Sequence, residues 1–551
     1  MVAPWRGRRA SSCLYECFGA NEQRLDPQKY YLYRRAQREE LDKNDWLKII
    51  AACDSIAQSE HVAAQNVNRR KPSTVGTKRK FQREHPEPRI FRDPVDGEIK
   101  AYGPEHTEWY RIYVEDPNLE NLKFRSKFRR RFRCSYNSYT KHLADVKESP
   151  LFQTWVDNEV SASGKVSSPI ELLVLGALRY LGRGWCFDDL EEQTCIGEDT
   201  HRRFIHVYLL WGLTTLYEKY VSLPEDGEEA KGGSAEYWAA DFPGCISSGD
   251  ATHIAMNRCY FQLKQHNYSH KLKSPSRTYN MHVTHRRRIL HTTPGHPGRW
   301  NDQSLQLFDS YAKALRDGKR FDDLVFELKE RRGDGTVKTV KYCGAWEIVD
   351  NGYLPWPTMI PPSKYPRTYA EMQFLKWIES LRKDVECTFG ILKGRFCVLK
   401  IGCNLHGIEV CDRMWLTCCA LHNFLLVEDG LDKAWDASVY LNEEGGHDFY
   451  DARRYVGTSV DGRRFDRSGM GAGSDLADCR PAQPDVLAAE EETDIASELA
   501  KLTVDGAIPV HHLPHHWFKQ KLIEHFDIEW HANRVMWPSR NGIGKPKGIV
   551  F

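Results

Sequence analysis

Residues 238–430 alternate strand-like segments with helical ones, and this alternation leaves few folds open to the chain. The segments follow in the order GCISSGDATHIAMNRC (strand), RTYNMHVTHRRRILHTTPG (strand), DQSLQLFDSYAKALRDG (helix), VKTVKYCGAWEIVDNGY (strand and turn), TYAEMQFLKWIESLRKDVECTFGILKGRF (helix) and EVCDRMWLTCCALHNFLLVED (helix). The pattern predicts an α/β domain over 238–430, in which helices flank a mixed sheet.

Three acids fall on three different elements of this domain. Asp250 lies on the first strand, Asp350 ends a later strand, and Glu386 lies on the long helix, with 35 residues between the last two. Carboxylates from distant segments can hold two divalent cations roughly 3.5–4 Å apart. Mg²⁺ prefers oxygen ligands and keeps water-filled positions for substrate. The three acids therefore predict a catalytic site with two Mg²⁺ or Mn²⁺ ions that cleaves or transfers phosphodiester bonds.

Glu386 also has basic neighbours on its own helix. Arg382 is four residues before it and Lys393 seven after it, so the three side chains share a face. This arrangement predicts that Glu386 binds an ion while Arg382 and Lys393, with the nearby Arg395, contact the DNA backbone. An ordinary salt-bridged helix face is the alternative.

Residues 106–225 predict a separate helical domain that binds DNA. Its first helix carries an apolar stripe formed by Phe124, Phe128 and Phe132. Basic residues occupy the other side, where phosphate contact and a solvated face are both open interpretations: Arg129, Arg130 and Arg131.

Within this domain, residues 168–211 predict three helices separated by turns. They resemble a helix-turn-helix, and a plain helical bundle is the competing interpretation. The residues predicted to be exposed at the start of the third helix, and to contact DNA, are His201, Arg202 and Arg203. A hydrophilic stretch at 222–236 predicts the boundary to the α/β domain.

The remaining segments predict tails. Residues 1–105 predict a mostly disordered basic arm, whose cluster at 68–89 suits nuclear import, DNA-backbone contact or a plain solvated tail. Residues 431–505 are rich in Gly, Asp and Ala and predict a disordered linker, whereas 506–551 returns to amphipathic order as a C-terminal extension.

Composition sets the remaining limits. The 78 lysines and arginines nearly balance the 76 acids, so the net charge of +2 indicates no partner by itself. Sixteen cysteines without a C-x-x-C pair predict reduced thiols in an intracellular protein. The N-terminus lacks the apolar core of a secretory signal, and the longest apolar runs fall short of the roughly 20 residues of a membrane span. A soluble protein without a membrane partner is expected.

Several motifs between residues 121 and 427 together resemble PIF/Harbinger-type DDE transposases, including the plant-transposon-protein group of DDE superfamily endonucleases. The motifs are GDATHIAM, PGRWNDQSL, VDNGYLPWPTMIPP, DVECTFGILKGRFCVL and CCALHNFLL, and LIEHFDIEWHANRVMWPSR is similar to that group's C-terminal extension. The resemblance implies an RNase H-like catalytic core preceded by a helical domain, and metal-dependent DNA cleavage and joining.

The resemblance also assigns residues. Asp250, Asp350 and Glu386 fall on the three catalytic acids. Asp302 is a recurrent family position too, and is the alternative second acid; Asp350 is preferred because it ends a strand, whereas Asp302 precedes a helix that it would cap. A related bacterial signature has a tyrosine where this chain has Glu379, so tyrosine-assisted hairpin chemistry is not expected.

The resemblance implies partners and a place of action. These are transposon terminal repeats and target DNA, a nuclear location, a homodimer that holds two DNA ends, and a separate Myb-like protein. Two other functions remain open: a domesticated derivative that binds DNA or protein without transposing, and a metal-dependent nuclease for repair or RNA processing.

Overall fold

The computed structural model describes residues 90–92, 97, 99–157, 167–430, 506–532, 534–539 and 542–546. The predicted linker at 431–505 lies outside the described residues. The basic cluster at 68–89 also lies outside them, and the described parts of the predicted arm at 1–105 are residues 90–92, 97 and 99–105.

The longer helices lie in both predicted domains and in the C-terminal extension. They are α1 (Leu122–Phe132), α2 (Tyr136–Glu148), α3 (Ile170–Arg183), α4 (Phe187–Thr194), α5 (Glu198–Trp211), α6 (Gly227–Gly233), α7 (Asp302–Phe308), α8 (Ser310–Arg316), α9 (Tyr369–Arg395), α10 (Ile408–Glu428) and α11 (His515–His531). Shorter helical turns lie at Pro104–His106, Glu108–Tyr110, Arg111–Glu115, Pro150–Phe152, Gln153–Val156, Gly212–Tyr217, Glu218–Tyr220, Ala235–Ala239, Phe261–Lys264, Cys397–Ile401 and Val510–His512.

The strands are β1 (Ile90–Arg92), β2 (Ile99–Ala101), β3 (Cys245–Ala255), β4 (Tyr268–Ser269), β5 (Ser274–Val283), β6 (Ile289–Thr292), β7 (His296–Pro297), β8 (Val325–Arg331), β9 (Val337–Cys343), β10 (Trp346–Ile348), β11 (Met359–Ile360), β12 (Ile508–Pro509), β13 (Met536–Ser539) and β14 (Gly542–Pro546). The central sheet has the order β11-β10-β3-β5, and β4, β6 and β7 also pair with β5. β10 and β11 run parallel to β3, whereas β5 runs antiparallel to it. The α/β prediction with a mixed sheet is confirmed.

The predicted aromatic stripe on α1 forms part of a hydrophobic core. Phe128 and Phe132 are buried, and their rings lie against Tyr113 and Tyr139. Burial of such rings contributes about 2–3 kcal/mol each, which accounts for the stripe without any ligand. The three helices predicted over 168–211 are also confirmed as α3, α4 and α5.

The helical region packs directly on the α/β region. One hydrophobic cluster contains Leu209 and Trp211 from α5 together with Tyr279 of β5 and Trp415 of α10. A Cβ at Gly212 would lie 2.2 Å from Thr417 Oγ1, so this close approach requires glycine. The segment 222–236, expected to be a linker, contains α6, and the packing is continuous across it.

The C-terminal extension is also part of this fold. α11 packs on α9 and β8, with Phe518 and Phe526 buried in a cluster that includes Trp346 and Trp377. β12 adds to the β8–β9 hairpin as a third strand. The cysteines of the described residues are all free thiols. Among the same residues, no helix has both the length and the hydropathy needed to span a membrane.

Candidate active site

Two of the predicted acids lie level with each other, Asp250 within β3 and Asp350 two residues after the end of the neighbouring β10. Ile348 of β10 pairs in parallel with Ser248 of β3, so Asp350 and Asp250 each follow two residues further on, on the same side. Asp250 is opposite Met281 of β5, in the middle of the sheet. Asp350 Oδ1 accepts a hydrogen bond of 2.6 Å from the Gly352 amide, which holds its carboxylate over the turn that follows β10.

The Asp302 side chain, at the start of α7, lies close to the Asp350 carboxylate. A Cβ added at Gly352 would lie 2.6 Å from Asp302 Oδ2 and 2.9 Å from Asp350 Oδ1, so both carboxylates face one point. The expected helix cap at Asp302 is wrong, because Asn301 caps α7 by accepting from the Ser304 amide. Asp302 is therefore free of capping, and both candidates for the second acid belong to one cluster with Asp250.

The third predicted acid approaches from the helix above β3. α9 crosses the strand: Ser248 donates to the Arg382 carbonyl oxygen at 3.1 Å, and Lys393 Nζ donates to Thr252 Oγ1 at 2.8 Å. Asp250 lies between these contacts on the strand, as Glu386 does on the helix. Arg382 links the two acids, with Nη2 2.8 Å from Glu386 Oε1 and Nη1 3.9 Å from Asp250 Oδ2.

The carboxylates of this cluster repel one another. Burial, together with the negative charges of Asp350 and Asp302, raises the pKa of Asp250 to about 6 against the opposing effects of the Ala251 amide and Arg382. Burial and the Asp350 charge also raise the pKa of Asp302. The site therefore carries more negative charge than its own basic residues neutralise.

This donor set suits a divalent cation in its chemistry. Asp250, Asp302 and Asp350 offer oxygen ligands that hard ions such as Mg²⁺ and Mn²⁺ prefer. The pKa values of Asp250 and Asp302 are raised by burial and by neighbouring carboxylates, and a cation would offset both effects. Among the described residues, no group of three or more His, Cys, Asp or Glu side chains is already close enough to hold a metal ion. Glu386, with its side chain 45% exposed, is paired with Arg382 instead.

Residues 249–423, about a third of the chain, match the family model of the DDE superfamily endonuclease. The match supports a DDE transposase family. The DDE segment, as we call residues 249–423, contains the cluster of Asp250, Asp302 and Asp350 and also Glu386 and Arg382. Comparisons with curated proteins and with solved structures gave no match.

Behind the acids of the DDE segment lies a buried ionic network that the sequence analysis missed. His282 is fully buried and bonds Glu347 Oε2 through Nδ1 and Asp309 Oδ2 through Nε2, both at 2.7 Å. Burial alone would lower the pKa of His282, but the two carboxylates outweigh burial and raise it to about 10. The ring is therefore an imidazolium that donates to both acids.

His282 ties together the segments that carry the site acids. Glu347 lies three residues before Asp350, and Asp309 follows the helix that begins at Asp302. On β3, a Cβ at Gly249 would lie 3.0 Å from His282 Nδ1, so only glycine fits easily before Asp250. The segments that carry Asp250, Asp302 and Asp350 thus all approach this one imidazolium.

The only sequence signal for this network was an acid inside an apolar strand, Glu347 in AWEIV. An acid at such a position must be paired when it is buried. The partners come from segments 27 and 65 residues away from His282, so their identity could not be read from the sequence.

Three residues predicted to contact DNA are buried in the folded chain. Arg129 and Arg395 are 8% and 3% exposed, and both pair with Asp429. His201 is 3% exposed, its Nε2 lies 2.8 Å from Thr194 Oγ1, and burial lowers its pKa to about 4. The arginine pairs join α1 and α9 to the end of α10, so they stabilise the packing of helices.

The other residues predicted to contact DNA differ in their exposure and in their bonds to protein groups. Arg130 and Arg203 are exposed. Arg202 is exposed but pairs with Glu198 and Asp199 on its own helix. Two more are half-buried and hydrogen-bonded to protein groups: Arg131 to the Tyr113 hydroxyl and Lys393 to Thr252. Arg382 pairs with Glu386.

The raised pKa of Asp250 makes this acid a cost to stability at neutral pH. Between about pH 4 and 6 the folded protein keeps a proton that the unfolded chain has lost, so stability falls as pH rises through this window, by about 3 kcal/mol. We expect Asp250→Asn to unfold at a higher temperature than wild type at pH 8, and the difference to vanish near pH 4. Thermal scans across this range measure it; Asp322→Asn, at an exposed position, is the control. An Asp250→Asn protein that is less stable at pH 8 contradicts the account.

Proposed function

We propose that this protein is a PIF/Harbinger-type transposase, a nuclease that binds transposon-end DNA and cuts and joins phosphodiester bonds with two divalent ions. The observation that carries the proposal is the convergence of Asp250, Asp302 and Asp350 inside the DDE segment, next to α9 with Glu386. The sheet, with β10 and β11 parallel to β3 and β5 antiparallel, supports an RNase H-like core.

Asp250, Asp350 and Glu386 would hold the ions, with Asp302 as the alternative second acid. Bound there, Mg²⁺ or Mn²⁺ would polarise the attacked phosphate and stabilise the oxygens that gain charge. The turn amide of Gly352 orients Asp350, and the imidazolium of His282 fixes the strands beneath the acids. Arg382 balances the charges of Asp250 and Glu386. Its guanidinium would suit a DNA phosphate once Glu386 binds an ion instead of Arg382.

The helical region 106–225 is the proposed reader of transposon ends. Its candidate DNA contacts are the arginines that are exposed: Arg130, Arg202 and Arg203. The protein acts in the nucleus as a homodimer, because two DNA ends must be held together, and works with a separate Myb-like protein.

The test is Mg²⁺-dependent nicking of oligonucleotides that carry the candidate terminal repeats. We expect Asp350→Asn to lower the nicking rate about a thousandfold, a loss of about 4 kcal/mol in transition-state stabilisation, because it removes an ion ligand. We expect Asp302→Asn, at the other carboxylate facing the same point, to lower it about tenfold. These two variants remove the same charge from neighbouring positions and so control for each other.

Each outcome separates one assignment from another. If Asp302→Asn abolishes nicking and Asp350→Asn does not, Asp302 is the second acid. If nicking persists unchanged in chelator, the two-ion mechanism is wrong. If wild type binds the ends but cuts them with neither Mg²⁺ nor Mn²⁺, the domesticated derivative is the better account.

A further inference from the structure

The chain between the first two acids of the cluster has an unusual charge. Residues 251–301 contain nine lysines and arginines and no aspartate or glutamate. Some of these cations are structural and pair with acids from elsewhere: Arg277 with Asp412, Arg286 with Glu236 and Arg287 with Asp384. The rest require another explanation.

Four of the six remaining cations gather on one projection, residues 257–274, which we call the basic hairpin. It leaves the sheet after β3 and returns through β4 into β5. Internal hydrogen bonds hold it: Asn267 Nδ2 donates to the Leu263 carbonyl at 3.0 Å, and the Ser276 amide donates to the Asn267 carbonyl at 2.7 Å. The projection is thus folded, with its charges at defined positions.

Exposed cations and exposed rings alternate along the basic hairpin. Its basic residues are exposed and have no ion pair within the described part of the chain: Arg258, Lys264, Lys271 and Lys273. Between them, Phe261 is 84% exposed, Tyr260 46% and Tyr268 38%. A surface of cations interleaved with exposed aromatic side chains suits phosphates and unstacked bases together, whereas a protein partner of matching charge would have to be strongly acidic.

The basic hairpin lies next to the acid cluster. The loop that leads into Asp302 packs against it, because a Cβ at Gly298 would lie 2.5 Å from the Asn267 carbonyl oxygen. The same loop adds one more exposed cation, Arg299. The charge of Lys271 opposes the rise in the pKa of Asp302, which is consistent with this proximity. DNA lying on the hairpin would therefore continue into the cluster.

We propose that the basic hairpin binds the DNA strand at the cleaved bond, with phosphates on its lysines and unpaired bases on Tyr260 and Phe261. This inference rests on the proposed nuclease function and adds a substrate-holding surface to it. None of these residues touches the acids directly, so their loss weakens DNA binding without removing the carboxylates.

The test measures binding of the full-length chain to a short duplex of arbitrary sequence, in chelator, over a range of salt concentrations. Each phosphate contact contributes about 0.9 to the slope of log affinity against log salt, so Lys264→Gln with Lys271→Gln should lower the slope by roughly two. The control is Arg332→Gln with Lys341→Gln in the β8–β9 hairpin, which loses the same charge from exposed positions interleaved with acids. That control should keep the wild-type slope.

A second arm tests the rings. Phe261→Ala should weaken binding of a single-stranded oligonucleotide roughly tenfold and leave duplex binding almost unchanged. If the lysine variant keeps the wild-type slope, or its slope falls no more than that of the control, the basic hairpin does not bind DNA. That conclusion would hold even if the enzyme cuts DNA. If the slope falls but no metal-dependent cutting is found, the surface stands and the proposed nuclease function fails.

Discussion

Asp250→Asn should lower the rate of Mg²⁺-dependent DNA nicking about a thousandfold or more, while the protein becomes more stable at pH 8. The loss corresponds to about 4 kcal/mol of transition-state stabilisation, which is the range expected when an ion ligand is removed. The gain in stability is expected because Asp250 is buried and is repelled by Asp350 and Asp302, so its charge costs free energy in the folded state. Nicking assays and thermal scans on the same preparation measure both effects.

The opposite signs are the informative part of this prediction. A substitution that merely damages the fold lowers activity and stability together. Asn keeps the size of Asp and removes its charge, so unfolding is not the expected cause of inactivity. A stable Asp250→Asn protein that still nicks DNA at the wild-type rate would remove Asp250 from the site.

His282→Ala should destabilise the protein by about 3–5 kcal/mol, because it leaves the buried carboxylates of Glu347 and Asp309 without their cation. The folded pKa of His282 lies above the unfolded value near 6.5, so its contribution is complete below that pH and is lost as pH rises towards 10. Denaturant unfolding at pH 7 and pH 10 should therefore differ more for wild type than for His282→Ala.

The charge explanation can be separated from loss of packing. Adding Glu347→Gln to His282→Ala should restore part of the stability, since it removes one of the unpaired charges. His422→Ala is the matched control, because burial lowers the pKa of this ring to about 4 and its Nε2 donates to the Arg287 carbonyl oxygen. The loss of stability should therefore be smaller, about 1–3 kcal/mol. If the double variant is less stable than His282→Ala alone, the network is not held together by charge.

The elements that position the acids followed from local pattern. Apolar periodicity predicted α9 and α10, and the turn residues after Ile348 placed Asp350 at a strand end. Two acids on separate strands meet only if those strands are neighbours in register, and the sequence does not state the register. The pairing of Ile348 with Ser248 supplies that missing step.

The burial of two arginines that were predicted to contact DNA depends on a long-range partner. Arg129 and Arg395 read as surface cations from their own segments, yet Asp429 at the end of α10 pairs with both and buries them. The cap predicted at Asp302 is wrong for a local reason instead, because the adjacent Asn301 caps α7. The choice of an ion-pair partner depends on the tertiary fold, so a local pattern of charge cannot distinguish a DNA contact from an internal one.

The most direct measurement is the anomalous scattering of Mn²⁺ in crystals of the wild-type protein with the ion added. The account predicts two Mn²⁺ positions about 3.5–4 Å apart, bound by Asp250, Glu386 and one or both of Asp302 and Asp350, with Arg382 released from Glu386. Crystals at saturating Mn²⁺ with no ion at these carboxylates, and with the Arg382–Glu386 pair intact, would contradict it.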